Sequence, residues 1–547
     1  MRKLLLVLVI LFIALFLRLY RVTEVPSSLN WDEVSIGYNA YSILKTGRDE
    51  WGRFLPLHFK SYGEYKLPAQ IYASIPAIAI FGLNDFAIRI TPVIYGTITV
   101  LLLYFLARDL FKNRWIGLIS AFLLAISPWH IQLTRASFES SFSVFWIVLG
   151  LWLFIKGFEK SKWWVISMIP FTISIYTYNS ARVFTPLLIL TLFLIFKKEI
   201  LKHSKETILS FLIFVVLLLP LVPFVLSGEA TARYKLVSIT NDPGLIPRIN
   251  ERRGMSKLPA PLPRLIHNRV TYVSYYFAKN YLAHFTPAFL FITGAGHRQH
   301  HVQGMGELYF FQAPFLLLGL YLIFRKKEKF KWLLISWLLI AFIPVSATND
   351  SIPNALRTLI AAPVYQILIA YGIYYSIIYF GNKRLLKIGL GTAVFIFGLV
   401  QFALYLKNYY QIYPILYSRD WQYGNKEVVS YIKEHYEDYD LIVYTREYGE
   451  PHMFTLFYLN YSPDKYQNNP NLDRFETNDW VWVLKFDKFY FPNLSDSWTS
   501  YKTIVDENSK KRILFIGQPQ DFGSDVISLK KINFLNGESA FEIVEVE

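Results

Sequence analysis

The sequence predicts a polytopic α-helical membrane protein followed by a small α/β domain, and three observations carry that prediction. Of its 547 residues, 54% are hydrophobic and 18% aromatic, and the mean hydropathy is +0.31. That is too apolar for an ordinary water-soluble enzyme. Runs long enough to cross a bilayer, roughly 17 to 25 residues, recur along the first three quarters of the chain. Charge divides the same way: residues 1–407 hold 42 Lys/Arg against 18 Asp/Glu, and the tail from Asn408 holds 14 against 22. An apolar basic body, 1–407, thus precedes a polar, mildly acidic domain, 408–547.

The apolar runs lie near 4–20, 87–107, 115–131, 141–156, 163–179, 183–196, 207–226, 308–324, 332–347, 359–380 and 385–406, about eleven expected spans. The first follows Met1-Arg2-Lys3 in the manner of a signal peptide. Arg18 and Arg21 stand where a small-x-small cleavage site belongs, so an uncleaved anchor is expected, with Arg18 snorkelling to the interface. Segments 69–82 and 285–294 are apolar but short and broken by Pro or Gly, which suits interfacial or re-entrant pieces.

Alternate connections differ in basic residues. One set (Met1–Lys3, Arg108–Arg114, Lys156–Lys162, Lys197–Lys205, Arg325–Lys331 and Lys383–Lys387) holds twenty Lys/Arg, whereas the short loops around Arg135, Arg182 and Arg357 hold one each. Short cytoplasmic loops carry such an excess, so the N-terminus is expected in the cytoplasm. Eleven spans then place the tail outside, with two long outer loops at about 21–86 and 227–307. In the tail, Lys426–His435 and His452–Leu459 pattern as helices and Leu441–Tyr444, Val481–Phe486 and Ile513–Ile516 as strands. Ile532–Val546 reads as a hairpin turning at Asn536-Gly537.

Several chemistries drop out. The chain has no cysteine, which removes disulfides, thiol nucleophiles and zinc-thiolate sites. Short basic inner loops leave no room for a nucleotide-binding domain, and no G-x-x-x-x-G-K-[ST] run occurs. Nucleic acid is not an expected partner on the outer side of a membrane.

Candidate groups gather on that side. Asn30-Trp31-Asp32-Glu33 puts two acids just beyond the first span, where loss of solvation makes an acid expensive without a partner or a task. The same acids would also suit the first turn of a helix. Tyr38, Asn39, Asp49, Glu50, Tyr62 and Lys66 share the loop. Glu139 lies four residues after Arg135, so a helix there would pair them; otherwise Glu139 is a second acid. Arg182 and Arg357 each stand alone at a membrane face, suited to a phosphate or to headgroups. In His297-Arg298-Gln299-His300-His301, the spacing of His297 and His301 admits a metal, but flanking glycines disfavour the helix that would present both. Contact with an anion is the alternative. The basic run Arg248, Arg252, Arg253, Lys257, Arg264 and Arg269 suits anionic headgroups. Acids fit to take a proton and cations fit to hold a phosphate suggest group transfer from a lipid phosphate. A transporter or lipid-linked-sugar flippase is the competing class.

Trp31-Asp32-Glu33 with Gly37-Tyr38-Asn39-Ala40, Lys66-Leu67-Pro68, Arg89, Ser127-Pro128-Trp129-His130, Arg135-x-x-x-Glu139 and Tyr178-x-x-x-Arg182 together resemble the GT-C glycosyltransferases. The branch most similar is that of bacterial protein-mannosyltransferases and aminoarabinose-transferase-like proteins, over about residues 1–406. The resemblance implies a GT-C membrane fold, a polyprenyl-phosphate sugar donor, and a protein, lipid or glycan acceptor. It implies Asp32 as general base with Glu33 in support, and Glu139 as a second acid. Lys66, Arg357 and either His300 or His301 would meet the donor phosphate, and Tyr62, Tyr178 and Arg182 the substrates. Arg89 would be structural or peripheral to the phosphate, and the same reading stands for Arg182 beside its candidacy as a substrate contact. No cofactor is implied; a divalent metal occurs in some GT-C enzymes but not generally in this branch.

Overall fold

The computed structural model describes residues 2–379, 384–477, 480–523 and 526–546. Met1 and Lys383, both in the basic loop set, lie outside the described residues. The chain divides into two compact units, Met1–Tyr20 with Val93–Thr134 and Phe138–Leu406, and Arg21–Pro92 with Arg135–Ser137 and Lys407–Glu547.

The first unit is helical. Helices occupy all eleven apolar runs. Among the described residues, five helices are long and apolar enough to cross a membrane: Asp85–Phe111, Glu139–Lys156, Ser204–Leu226, Ala355–Tyr379 and Gly391–Leu416. Others are shortened by breaks the sequence dictates. Run 115–131, for example, splits into Arg114–Ala125 and Pro128–Leu133. Pro128 has no N–H to give and begins the new helix, with Ser127 as its N-cap.

That break explains Arg18, which does not snorkel. Its side chain is fully buried and donates to Ala125 O at 3.1 Å, Ala14 O at 2.9 Å and Thr134 Oγ1 at 3.0 Å. Its Nη2 lies 2.7 Å from His130 Nδ1, which must accept because guanidinium only donates. In an apolar medium, carbonyls freed at a helix end need a donor from the protein, and Arg18 supplies one.

Helices Ala313–Arg325 and Ala362–Tyr379 touch backbone to backbone. A methyl group on Gly319 would sit 2.0 Å from Leu368 O, and one on Gly372 2.0 Å from Phe315 O. Small residues permit such approach between membrane helices, where packing replaces the hydrophobic drive.

In the second unit, helix Trp31–Thr46 packs on helices Pro68–Phe81 and Pro451–Tyr458, beside the small hairpin of β1 (Phe59–Ser61) and β2 (Glu64–Lys66). Segment 69–82 is therefore a helix of this unit. The tail forms a seven-stranded mixed sheet from β3 (Leu441–Tyr444), β4 (Asp473–Glu476), β5 (Val481–Phe486), β6 (Phe489–Tyr490), β7 (Ile513–Gly517), β8 (Ser528–Asn533) and β9 (Ser539–Val546). The order is β4-β5-β6-β3-β7-β9-β8, with β3 parallel to β6 and β7. β7 is buried along its whole length, as an apolar run between two neighbours should be. β8 and β9 form the expected hairpin, and Gly537 supplies a positive φ of 90° in its turn.

Replacing Gly319 with Val is expected to destabilise the protein by about 1–3 kcal/mol, because neither backbone carbonyl can move aside. Gly391→Ala, where an added methyl group meets nothing within 4 Å, serves as control. Thermal unfolding of the two purified variants in detergent checks this.

Candidate active site

The acids of the first loop open a helix, and they do so asymmetrically. Asn30 is the N-cap of Trp31–Thr46: its Oδ1 accepts from Glu33 N at 2.9 Å, and the Glu33 carboxylate accepts from Asn30 N at 3.2 Å. This capping box satisfies two otherwise orphaned donors. Glu33 is fully buried and also accepts from Arg89 Nε at 3.0 Å, Arg89 Nη2 at 3.1 Å and Ser137 N at 3.0 Å. The other Arg89 N–H groups donate to Val22 O, Pro26 O and Ser28 O. A buried charge pair is tolerable when every lone pair and proton is used, and here the ion pair also fixes the chain entering the helix.

Asp32, one residue earlier, faces another way. Its side chain is 38% exposed and forms an ion pair with Lys66, whose side chain is only 3% exposed. Lys66 ends β2 and precedes Leu67-Pro68, where Pro68 begins the next helix. The hairpin thus sets the ammonium against the carboxylate. Lys66 Nζ also lies 5.7 Å from the centre of the Tyr62 ring, and Tyr62 Oη donates to Trp31 O at 2.8 Å. Burial pushes the Tyr62 hydroxyl well above its ordinary range, and the nearby Glu450, Asp32 and Glu50 carboxylates add to this, so it stays a donor.

Aromatic groups from the tail complete the surroundings. Trp480 stacks on Tyr62 at 5.7 Å and meets Trp31 at 6.1 Å; its Nε1 donates to Glu450 Oε1 at 2.5 Å. Gln422 Oε1 accepts from Trp31 N at 2.8 Å. Sequence reasoning missed Trp480, Gln422 and Glu450. Each lies about 390 residues or more from its partner in the loop, and no local pattern links them. Glu50, buried beneath this group, accepts from Asn39 Nδ2 at 3.0 Å.

Arg135 also belongs to this unit, donating to Arg21 O and Val25 O and stacking near Tyr409 and Tyr410. A helix carrying Arg135 and Glu139 on one face, one of the two alternatives the sequence leaves open, does not form. Helix Pro128–Leu133 ends before Arg135, and a new one starts at Glu139.

The membrane unit holds the remaining predicted residues. Glu139 occupies the first turn of Glu139–Lys156, and Tyr178 caps Asn179–Ile200. Arg182 donates to Ala230 O at 3.2 Å with its guanidinium 5.0 Å from the Phe224 ring. Arg357, placed by the Asn354 cap, donates to Thr348 Oγ1 at 2.9 Å and Asp350 Oδ2 at 2.5 Å.

The two candidate histidines separate. His301 is held at both nitrogens, by Glu307 Oε1 at 2.9 Å and Met305 O at 2.7 Å. Burial pushes its imidazole down, but the Glu307 carboxylate and these hydrogen bonds raise it overall. It is a strut of the glycine-rich loop. The His300 ring stacks on His297 at 3.7 Å and meets Phe138 edge-on. Burial lowers it well below the ordinary histidine range, and His297, Arg357 and Arg233 push the same way. Arg357 is thus among the cations acting on the His300 ring. Among the described residues, no three His, Cys, Asp or Glu side chains are grouped to hold a metal.

Comparison with known proteins bears on this arrangement. The profile of the dolichyl-phosphate-mannose-protein mannosyltransferase family matches residues 71–224, which include Arg89, Arg135, Glu139 and Arg182 but not Asp32 or Lys66. ArnT from Cupriavidus metallidurans, solved with undecaprenyl phosphate, superposes with a TM-score of 0.51 at 12% identity, over 99% of this chain and 97% of its own. The chain has the GT-C glycosyltransferase fold. A second GT-C structure, the oligosaccharyltransferase AglB from Archaeoglobus fulgidus in complex with an inhibitory peptide and a dolichol-phosphate, matches with a TM-score of 0.52 at 14% identity. That match covers 84% of this chain but 63% of AglB, so the chain spans less than two thirds of AglB's length. No curated protein sequence matches the chain.

Two predictions follow from the geometry. Arg89→Met leaves the Glu33 charge buried and uncompensated and is expected to cost about 3–5 kcal/mol, whereas Glu33→Gln combined with Arg89→Met recovers part of that loss; thermal unfolding in detergent distinguishes them. Burial pushes the Glu50 carboxyl up, against the pull of His452 and Asn39. A carboxyl raised in the fold stabilises it when protonated, and that contribution is lost as pH rises through the folded value. Glu50→Gln is therefore expected to melt above wild type at pH 8 and close to it at pH 4. A melting gap independent of pH would contradict this.

Proposed function

We propose that this chain is an integral membrane glycosyltransferase that moves a sugar from a polyprenyl-phosphate donor to a hydroxyl or amine of an extracytoplasmic acceptor, by single displacement with inversion. The observation that carries this reading is the Asp32–Lys66 pair, a half-exposed carboxylate against a buried ammonium, next to a Glu33 that is fully committed to Arg89. One acid is free to face a substrate while its neighbour fixes the backbone beneath it. The GT-C fold, and the polyprenyl phosphates bound by ArnT and AglB, support a lipid-linked donor.

In this mechanism Asp32 takes the acceptor proton as the acceptor atom attacks the anomeric carbon. The bond from that carbon to the phosphate oxygen breaks, and the phosphate leaves with the electron pair. Lys66 is proposed to meet the departing charge; Arg357 is proposed for the same task from its charge, and His300 as a neutral hydrogen-bond donor close enough to feel that guanidinium. Glu139 is assigned to orienting acceptor or base, and Tyr62, Tyr178 and Arg182 to substrate contact. No metal is assigned a step.

The accompanying topology has eleven spans, a cytoplasmic N-terminus and an extracytoplasmic tail. It rests on the twenty basic residues of the alternate short loops. A flippase or transporter would place ionisable groups near span centres, whereas those of this sequence crowd the span ends.

Membranes carrying wild type or Asp32→Asn, incubated with a panel of radiolabelled polyprenyl-phosphate sugars, test the proposal. Loss of at least a hundredfold in transfer is expected, within the range for removing a general base. Undiminished transfer by folded Asp32→Asn would overturn the base assignment.

A further inference from the structure

The long segment after the helix Ser204–Leu226 is unusual for its charge and its exposure together. Residues 245–283 hold seven Lys/Arg and one acid, Glu251. They fold into helices Leu245–Met255, Leu262–Ile266 and Arg269–Ala283. Ile246, Met255, Leu265, Val270, Tyr275 and Leu282 are each more than half exposed. Cationic helices that leave large apolar side chains uncovered match a bilayer interface, where apolar groups enter the acyl boundary and cations meet headgroups.

The segment is tied to the end of an apolar helix. Asn280 Nδ2 donates to Thr348 O at 2.7 Å, two residues beyond the apolar stretch Lys331–Ser346, and Tyr281 Oη donates to Leu339 O at 2.9 Å, within that stretch. Eighteen residues separate the segment from the strongly apolar Ser204–Leu226.

Within the segment is a cavity of about 160 Å³, lined by the apolar side chains of Ile249 and Ile266 together with Tyr275, Arg252, His267 and Thr271. The cations around it differ in their engagements. Arg248 pairs with Asp242 at 2.9 Å, and Arg253 donates to His267 O at 2.6 Å. Arg252 is instead held by rings, 5.6 Å from Tyr272, 5.9 Å from Tyr275 and 5.8 Å from Tyr276, which fix the guanidinium without neutralising it.

We infer that residues 245–283 form a docking site for anionic phospholipid, with the headgroup phosphodiester at Arg252 and the acyl chains against exposed apolar side chains such as Leu265, Tyr275 and Leu282. Net positive charge selects the anionic headgroup over a zwitterionic one, and the open apolar residues select a lipid over a soluble anion.

The test uses full-length protein in detergent with equimolar phosphatidylglycerol and phosphatidylcholine, the retained lipid being read by native mass spectrometry. Wild type is expected to retain phosphatidylglycerol preferentially. Arg252→Gln should reduce the tightest-bound phosphatidylglycerol about fivefold, the effect of one basic residue near an anionic surface, while Arg252→Lys retains most of it. Leu265→Glu, on an exposed position, places an acid beside the headgroups and should lower retention without touching the ring cluster. Equal retention of the two lipids by wild type, or undiminished phosphatidylglycerol in both Arg252→Gln and Leu265→Glu, would overturn the inference.

Discussion

The buried pair of Glu33 and Arg89 is the constraint on which the second unit depends. Glu33 closes the capping box of helix Trp31–Thr46, receives two guanidinium hydrogen bonds and accepts from Ser137 N. Arg89 meanwhile collects the carbonyls of Val22, Pro26 and Ser28. Two charged groups therefore join the chain entering the helix, the helix start, the Ser137 strap and helix Asp85–Phe111. Removing either side strands the other in a dry interior, where an uncompensated charge costs far more than the pair contributes. The adjacent Asp32 inherits its position from this anchor.

Arg18 performs the corresponding service in the membrane unit. The break at Ser127-Pro128 frees carbonyl groups that no lipid can satisfy, and Arg18 donates to them with Thr134 and His130 as further partners. Both units thus use an arginine to supply donors where helices start or stop. Arginine suits the role because its five N–H groups fan out in a fixed plane and stay charged. The sheet of the tail pairs its inner strands with one another and is held by apolar packing around residues such as Ile442, Phe457 and Phe541.

How much of this was legible depended on range. Leu441–Tyr444 and Val481–Phe486 are strands with the boundaries that the sequence predicts, because β-branched and aromatic runs between turn residues are local signals. The hairpin at Gly537 was legible for the same reason. Asp32 and Glu33 were visible as a pair, but the sequence left open whether they served chemistry or a helix start. The structure divides them, with Glu33 closing the cap and Asp32 facing Lys66. Arg18 was misread because snorkelling is the default for an arginine near a span end, and its partners at Ala125 and Thr134 lie more than 100 residues away. The engagement of both His301 nitrogens by Glu307 and Met305 was not legible locally either.

By itself, then, the sequence determined the apolar helical body, the positions of its apolar runs, the mixed α/β tail and the shortlist of acids and cations. Each follows from composition, periodicity or turn chemistry within a window of a few residues. The tertiary structure alone decided which acid is buried and which stays half-exposed. It also decided which arginine mends a helix break, and it made Trp480, Gln422 and Glu450 neighbours of Trp31 and Tyr62. Those outcomes depend on desolvation and on hydrogen-bond satisfaction among groups tens to hundreds of residues apart, which no local pattern encodes.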